Sequence, residues 1–145
     1  MMQIRQKWKA FTIVELLVVI LIISMLAVFV APRMLKTVGK AKKDIAKAKM
    51  RDIESAVERF FIDCGRYPDD SEGLQVLLSL EPPEDVEQDN WSGPYLKRSE
   101  LEDPWGNRYV YRAEGEINPG SFDLISLGAD GEVGGEGDNE DIYND

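Results

Sequence analysis

Residues 11–31 read FTIVELLVVILIISMLAVFVA, an almost wholly apolar stretch in which Glu15 is the only charged residue. As a helix rising 1.5 Å per residue, the stretch spans roughly 30 Å, the thickness of a bilayer's hydrocarbon core. A cleaved secretory signal shares the basic start and the apolar run. This run is long for a signal, however, and a cut after Ala31 would leave Pro32 as the new terminus. The sequence therefore predicts a membrane-spanning helix over residues 11–31.

The helical pattern continues beyond Pro32 without a loop signal. Lysines and acids occupy much of one face, while apolar residues recur at mostly helical intervals on the other, namely Leu35, Val38, Ile45, Ala48, Ile53, Val57 and Phe60. Gly65 follows, and glycine readily takes the left-handed conformation that ends helices. We predict one long helix from about Phe11 to Phe61, ending near Cys64. Its residues 32–64 form an amphipathic continuation that packs on a soluble domain.

Residues 65–145 carry shorter elements. A short helical stretch is expected around residues 73–80, and residues 103–106 read Asp-Pro-Trp-Gly, which suits a type I turn. Alternating apolar and polar residues predict strands at 108–112 and 122–126. The predicted fold class is therefore α+β, with a long helix packed on a small antiparallel sheet.

Composition narrows the class of function. The net charge is -10 and the chain has no histidine. A polyanionic chain is a poor binder of nucleic acid, whose phosphates select for Lys and Arg. The lack of histidine removes the usual general base near neutral pH. Cys64 is the only cysteine, so no intramolecular disulfide stabilises this small domain, which leaves a metal ion or oligomerisation for that role. We expect a structural protein rather than an enzyme.

Residues 127–141 form an acidic, glycine-rich segment. Asp130 and Asp138 offer carboxylates, and the glycines let backbone carbonyls turn inward toward an ion such as Ca²⁺, which takes about 6–8 oxygen ligands. The spacing of an EF-hand is absent, and one GGEGDN run cannot form a β-roll. From these residues alone, a calcium-binding loop and a solvated acidic tail are both consistent with the pattern.

Glu15 is an ionisable residue inside the apolar run. A charge at mid-membrane costs about 2.5–3.5 kcal/mol, although Glu15 lies only about 6 Å from the start of the run, where its side chain can reach the interface. The functional alternative is that cleavage before Phe11 creates a positive α-amino group at the membrane edge. Glu15 of a neighbouring subunit would then pair with that amine and set the axial register of a fibre.

The segment Lys9-Ala10-Phe11-Thr12-Ile13-Val14-Glu15, followed by the apolar run and Pro32, resembles the N-terminus of type IV pilins and pseudopilins. The resemblance implies that a prepilin peptidase removes residues 1–10 as a cytoplasmic leader, cutting between Ala10 and Phe11. It also implies N-methylation of Phe11 and an assembly role for Glu15. The family usually has Gly where this chain has Ala10. Basic residues flank both sides of the span, so the orientation also rests on the resemblance.

The soluble half narrows the resemblance to the major pseudopilins of type II secretion. The segments that carry it are 65–68 (GRYP), 72–74 (EGL), 93–96 (GPYL), 103–107 (DPWGN) and 126–131 (SLGADG). The resemblance implies a structural calcium ion in a C-terminal calcium-binding loop. Its expected ligands are the backbone oxygens of Leu127 and Val133 and the side chains of Asp130, Asp138 and Asp141.

The function implied by the resemblance is that of a major structural subunit. The chain would sit in the inner membrane with residues 65–145 in the periplasm, then polymerise into a periplasmic fibre that drives export of folded proteins. Expected partners are further copies of the chain, minor pseudopilins, the inner-membrane assembly platform and the prepilin peptidase, but no nucleic acid.

Two alternatives stay open at this stage. A type IV pilus subunit shares the N-terminus, but such pilins commonly close their C-terminal region with a disulfide, which the lone Cys64 does not allow. A membrane-anchored hydrolase would need two carboxylates held across a pocket with separated pKa values, and nothing in the sequence marks such a pair.

Overall fold

The computed structural model describes residues 11–144, which divide after Val38 into two compact units. Helix α1 (Ile13–Cys64) contributes to both units. It ends where predicted, because Gly65 adopts a φ of 72° and its amide donates to the Phe61 carbonyl at 2.8 Å. This left-handed residue closes the last turn. The prediction of one long N-terminal helix is confirmed.

The first unit consists of the N-terminal part of α1. Its stretch Ile13–Val30 has a mean hydropathy of 3.1 and no part of it is buried within the chain. By length and composition this stretch can cross a membrane. The apolar side chains are therefore presented outward all around the helix.

The second unit forms around one face of α1. The buried residues of that face follow each other at intervals of four or three, as one side of a helix requires, and are Ala46, Met50, Ile53, Val57 and Phe60. They join a single core with Leu77, Trp91, Tyr109 and Leu124.

The predicted apolar face was partly wrong. Ile53, Val57 and Phe60 are buried, but Val38 and Ile45 are 53% and 51% exposed, and Ala48 is also exposed. The face that packs instead passes through Ala46 and Met50, because a small and a flexible side chain allow close approach of the neighbouring elements. The side chain of Leu35 lies outside the described part of the chain.

Three short strands form one antiparallel sheet in the order β1-β2-β3. Strand β1 (Val110–Arg112) pairs with β2 (Asp123–Ser126) so that Tyr111 faces Leu124, and β2 pairs with β3 (Ile142–Tyr143) so that Ser126 faces Ile142. The two predicted strands are confirmed in slightly shorter form. β3 was not predicted, because Ile142 and Tyr143 follow a long acidic segment. With the α1 helix, this sheet confirms the predicted fold class.

Short 3-10 helices connect these elements, namely Gly73–Leu78, Gln88–Asn90, Arg98–Glu100 and Gly137–Asn139. The first corresponds to the helical stretch predicted at residues 73–80. Arg66, just beyond α1, fixes the following segment by donating to both Glu72 oxygens (2.7 and 2.9 Å) and both Asp85 oxygens (2.8 and 3.0 Å). These paired hydrogen bonds lower the pKa of Glu72 and of Asp85.

Two buried carboxylates organise the loops around β2. Asp103 accepts hydrogen bonds from the Trp105 and Asn107 amides, both at 2.9 Å, and from the Ser126 hydroxyl at 2.7 Å. The DPWGN turn is thereby attached to the end of β2. Because each of these buried oxygens has a donor, the charge is held inside the domain without an orphaned acceptor.

Asp123 is fully buried at the start of β2. Its carboxylate accepts hydrogen bonds from the amides of Glu116, Ile117 and Asn118 at 2.8, 3.1 and 3.0 Å. Burial raises the pKa of Asp123, but the hydrogen bonds from the three amides outweigh burial, so its net pKa lies below the usual value. The loop before β2 therefore depends on a charged carboxylate.

Replacing Asp123 with Asn puts an NH₂ group opposite amide donors, and we expect a loss of about 1–3 kcal/mol at pH 7. Folding lowers the pKa of Asp123, so its negative charge adds to the free energy of unfolding. This contribution is complete above pH ~4 and is lost as pH falls through the pKa that Asp123 has in the folded state. The stability gap between wild type and Asp123→Asn should therefore narrow below pH ~4. Urea unfolding of the full chain in detergent measures this gap, with exposed Glu114→Gln as control. A gap that stays constant from neutral to acidic pH would contradict the assignment.

Candidate assembly helix and metal-binding loop

The first predicted site lies at the start of α1. Phe11 is 82% exposed, while Ala10 lies outside the described residues. Thr12 precedes the helix, and its amide and hydroxyl both donate to Glu15 Oε2 at 3.0 Å. The Glu15 amide in turn donates to the Thr12 hydroxyl at 3.2 Å. This reciprocal pair is a capping box, which satisfies amides that the first turn leaves without helical partners.

This capping role of Glu15 was not predicted from the sequence. Its signal was present, since Thr12 and Glu15 have the T-x-x-E spacing that precedes an apolar run. The capping bonds use only one carboxylate oxygen, and Oε1 accepts no hydrogen bond within residues 11–144. The geometry therefore leaves one oxygen of a negative group available to a donor from another molecule.

The second predicted site is the loop that joins β2 to β3. The Ala129 amide donates to the Asp138 carbonyl at 2.9 Å and closes the loop on itself. The Asn107 side chain donates to the Gly128 carbonyl at 2.7 Å and attaches the loop to the DPWGN turn. Leu127, Asp130, Val133, Asp138 and Asp141 all belong to this loop.

Glycine is required where the loop crosses itself. Gly128 has a φ of 65°, and a Cβ there would lie 2.7 Å from the Asn139 carbonyl carbon and 2.8 Å from the Asp138 carbonyl oxygen. Any larger residue would push the two halves of the loop apart. The glycines predicted to let the backbone wrap were Gly131, Gly134, Gly135 and Gly137, so the need for glycine at 128 was not foreseen from the sequence.

The three predicted carboxylate ligands have different surroundings. Asp130 accepts the Glu132 amide at 3.2 Å and is exposed, whereas Asp138 lies directly against Gly39 of α1, where a Cβ would be 2.0 Å from its oxygen. Asp141 Oδ2 accepts the Gly134 amide at 2.9 Å and the Tyr143 hydroxyl at 3.1 Å. Its other oxygen, Oδ1, is buried and has no hydrogen-bond partner within residues 11–144.

The donor set fits a hard cation. Within the described part of the chain, no three carboxylate, Cys or His side chains converge as a ready-made metal cluster. The loop does offer carboxylate and carbonyl oxygens, which Ca²⁺ prefers, and flexible Ca²⁺ sites commonly draw on backbone oxygens. The buried, unpartnered Asp141 Oδ1 is an orphaned acceptor that a cation would satisfy.

Several supporting residues of the loop were not singled out from sequence. Lys43 on α1 forms an ion pair with Glu140, and the hydrogen bond from Lys43 lowers the pKa of Glu140. Asn144, after β3, accepts the Leu124 amide at 2.7 Å through its side chain and donates to the Phe122 carbonyl at 3.2 Å. These contacts hold the C-terminal end of the loop and the strand that follows it, and no local sequence pattern predicts such long-range pairs.

Comparison with known proteins identifies the family of this chain. Residues 33–145 match the family model described as type II secretion system (T2SS), protein G. The chain belongs to the type II secretion system protein G family. A type II secretion system core protein G from Pseudomonas aeruginosa is 39% identical over 97% of this chain and 96% of its own length. The corresponding protein of Vibrio cholerae is 38% identical over 96% of this chain and 92% of its own length.

A solved structure supports the same family at the level of the fold. The major pseudopilin of the type 2 secretion system of enterohaemorrhagic Escherichia coli is 29% identical, with a TM-score of 0.61, and the match covers 78% of this chain and 94% of that one. The predicted membership among major pseudopilins of type II secretion is therefore confirmed. The members of this family are structural subunits of secretion systems, and a structural protein is the class that the sequence indicated.

Proposed function

We propose that this chain is inserted in the inner membrane with residues 65–145 in the periplasm, and that it then polymerises into the pseudopilus. In this role it is the major subunit of a fibre that drives export of folded proteins across the outer membrane. The observation that carries the proposal is the stretch Ile13–Val30, whose strongly apolar side chains are not buried by any part of residues 11–144.

The apolar side chains of this stretch must be shielded from water. Burying one Leu or Ile side chain is favourable by about 1.5–3 kcal/mol, so a helix of such residues is not left in water. Lipid supplies the cover before assembly, and the same stretch of neighbouring copies supplies it afterwards. Lipid tails are as apolar as the helices, so polar contacts such as one at Glu15 give the selectivity between the two environments.

We expect the mature protein to begin at Phe11. The prepilin peptidase would cut after Ala10, a small residue where the family usually has Gly, and Phe11 would carry an N-methyl group. N-terminal sequencing and intact mass of protein from membranes measure both features. A first residue other than methylated Phe would contradict the processing proposal and remove the amine that Glu15 is expected to meet.

Glu15 is expected to pair with the Phe11 amine of a neighbouring copy, through the oxygen that the capping box leaves without a partner. Glu15→Ala should reduce polymer yield and protein export by more than about tenfold. It would leave the positive Phe11 amine of the neighbouring copy unpaired in an apolar interface, which costs several kcal/mol. Sedimentation of polymer and assay of exported protein measure the effect. Unchanged polymer yield and protein export in this variant would contradict the assembly role of Glu15.

Two control variants separate pairing from helix capping. Glu15→Gln keeps a side-chain acceptor for Thr12 but removes the charge, so it should fail like Glu15→Ala. Thr12→Ala weakens the cap, by about 1 kcal/mol, but keeps the charge and should assemble. If Thr12→Ala fails while Glu15→Gln assembles, Glu15 acts through the cap alone.

We also propose that the loop 127–141 binds a structural calcium ion. The backbone oxygens of Leu127 and Val133 and the side chains of Asp130, Asp138 and Asp141 would hold it. The ion would neutralise carboxylates that otherwise repel one another, and its binding free energy would add to the free energy of unfolding. The buried Asp141 Oδ1 supports this proposal, because it has no other partner in residues 11–144.

Calcium should raise the melting temperature of the full chain in detergent by several degrees, since a ligand at about 100 times its Kd adds about 2.7 kcal/mol. Asp130→Ala should lower the melting temperature and abolish this calcium dependence. Glu132→Ala, an exposed acid in the same loop, is the matched control and should keep it. Identical wild-type melting curves in excess calcium and in chelator would remove the metal proposal.

The remaining partners follow from the same role. Copies of the chain form the fibre, minor pseudopilins join it, and the inner-membrane platform and prepilin peptidase act on the membrane-inserted form. The family assignment to the secretion machinery supports these partners as a class.

A further inference from the structure

Residues 81–90, the acidic strip, contain acids and no basic residue, the acids being Glu81, Glu84, Asp85, Glu87 and Asp89. The middle of the strip, at Asp85, and Ser92, two residues beyond its end, are fixed near the end of α1. Asp85 is bound by Arg66 at 2.8 Å, and the Ser92 amide donates to Asp63 at 3.0 Å. Between these anchors Trp91 packs edge-on against Phe60, with ring centroids 5.9 Å apart. The strip therefore lies beside the last turns of α1.

Several acids of the strip have no hydrogen-bond or ion-pair partner within the described residues of their own domain. Asp85 is engaged by Arg66, but Glu84, Glu87 and Asp89 are exposed, and within residues 11–144 their side chains form no hydrogen bond or ion pair. Three carboxylates of one sign thus point into solvent from an anchored segment.

A second surface, the basic face, lies on an earlier part of α1. Lys40, Lys47 and Arg51 are exposed and spaced by seven and four residues, which places them on one side of the helix. Asp44 lies on the same side and offsets one of the three positive charges. None of the three basic side chains forms a hydrogen bond or ion pair within the described residues.

The neighbouring basic residues of α1 have a different role. Lys43 pairs with Glu140, Lys49 donates to the Glu102 carbonyl at 2.7 Å, and Lys42 lies 5.8 Å from the Trp105 ring centroid. These three side chains hold the chain's own domain against the helix. Lys47 of the basic face also lies close enough to Glu140 to help lower the pKa of that carboxyl. The basic face therefore consists of residues that the intramolecular hydrogen bonds and ion pairs leave unused.

The helix separates the two surfaces along its axis. Lys47 precedes Cys64, the last residue of α1, by about 25 Å at 1.5 Å per residue. Within one copy, the strip and the centre of the basic face are held apart by a similar distance. Two parallel copies displaced along the helix by this distance would bring the strip of one beside the basic face of the other.

We infer that the acidic strip of one copy binds the basic face of an axially displaced copy. The inference rests on the proposed polymer and adds a second contact surface, far from the apolar stretch. Opposite charges at an interface rim contribute mainly to orientation and partner choice, while like charges placed together are strongly unfavourable. The contact would therefore fix the axial displacement of the copies.

Charge reversal of the full chain tests the contact. The strip variant carries Glu84→Lys and Glu87→Lys, the face variant carries Lys47→Glu and Arg51→Glu, and a third chain carries all four changes. Each single-surface variant should lose at least about tenfold in sedimenting polymer, because it places like charges together, and the fourfold variant should recover most of it. A control with Glu114→Lys changes an exposed acid elsewhere and should assemble normally.

The outcomes separate this inference from the function on which it rests. If wild type forms no polymer, the proposed function fails and the contact with it. If wild type polymerises but either single-surface variant does so equally well, or the fourfold variant does not recover, only the contact is wrong. Melting curves identify a variant that fails to fold, and Lys47→Gln with Arg51→Gln then replaces the face variant, with partial loss expected.

A lipid surface is the competing occupant of the basic face. Vesicles containing anionic lipid, compared with neutral ones, measure its binding to the full chain. Binding lost in the face variant, with polymer yield unchanged, would assign the face to lipid and overturn the contact between copies.

Discussion

The packing of α1 between Ala46 and Phe60 against the sheet is the interaction on which the second unit depends. Ile53, Val57 and Phe60 are fully buried there, and both the strands and the long connections rest on them. The strands are two to four residues long, too short for an independently stable sheet. The helix therefore contributes the largest packing surface of the core, and the sheet is stable only while it is packed against α1.

Buried charge supports the connections that the small core does not reach. Asp103 fastens the DPWGN turn to Ser126, and Asp123 orders the segment before β2 through three backbone amides. Asp141 follows the same pattern with one oxygen and leaves the other unpartnered. Amides and hydroxyls thus supply donors for the oxygens of Asp103 and Asp123, whereas within the described residues Asp141 Oδ1 has none, and the calcium ion proposed for this loop would bind there.

The long helix, its end at Cys64 and two strands were predictable, because apolar periodicity and the glycine at 65 are local signals. The third strand was not predictable, because it pairs with β2 across the long acidic segment that separates the two strands in sequence. The exposed Val38 and Ile45 show a related limit: periodicity marks candidate faces, but the partner decides which is buried. At the candidate sites, residue types were readable from sequence, whereas the contact of Asp138 with Gly39 and the orphaned Asp141 oxygen required coordinates.

The bare apolar stretch Ile13–Val30 has a kinetic consequence for any assembly route. A subunit released into water with this surface uncovered would associate indiscriminately, because no part of residues 11–144 shields it. In the proposed assembly, exit from the bilayer and entry into a growing polymer would therefore overlap in time, and each side chain would exchange lipid contacts for protein contacts directly. Such an exchange would have no soluble intermediate, so the growing end of the proposed polymer would lie at the membrane surface.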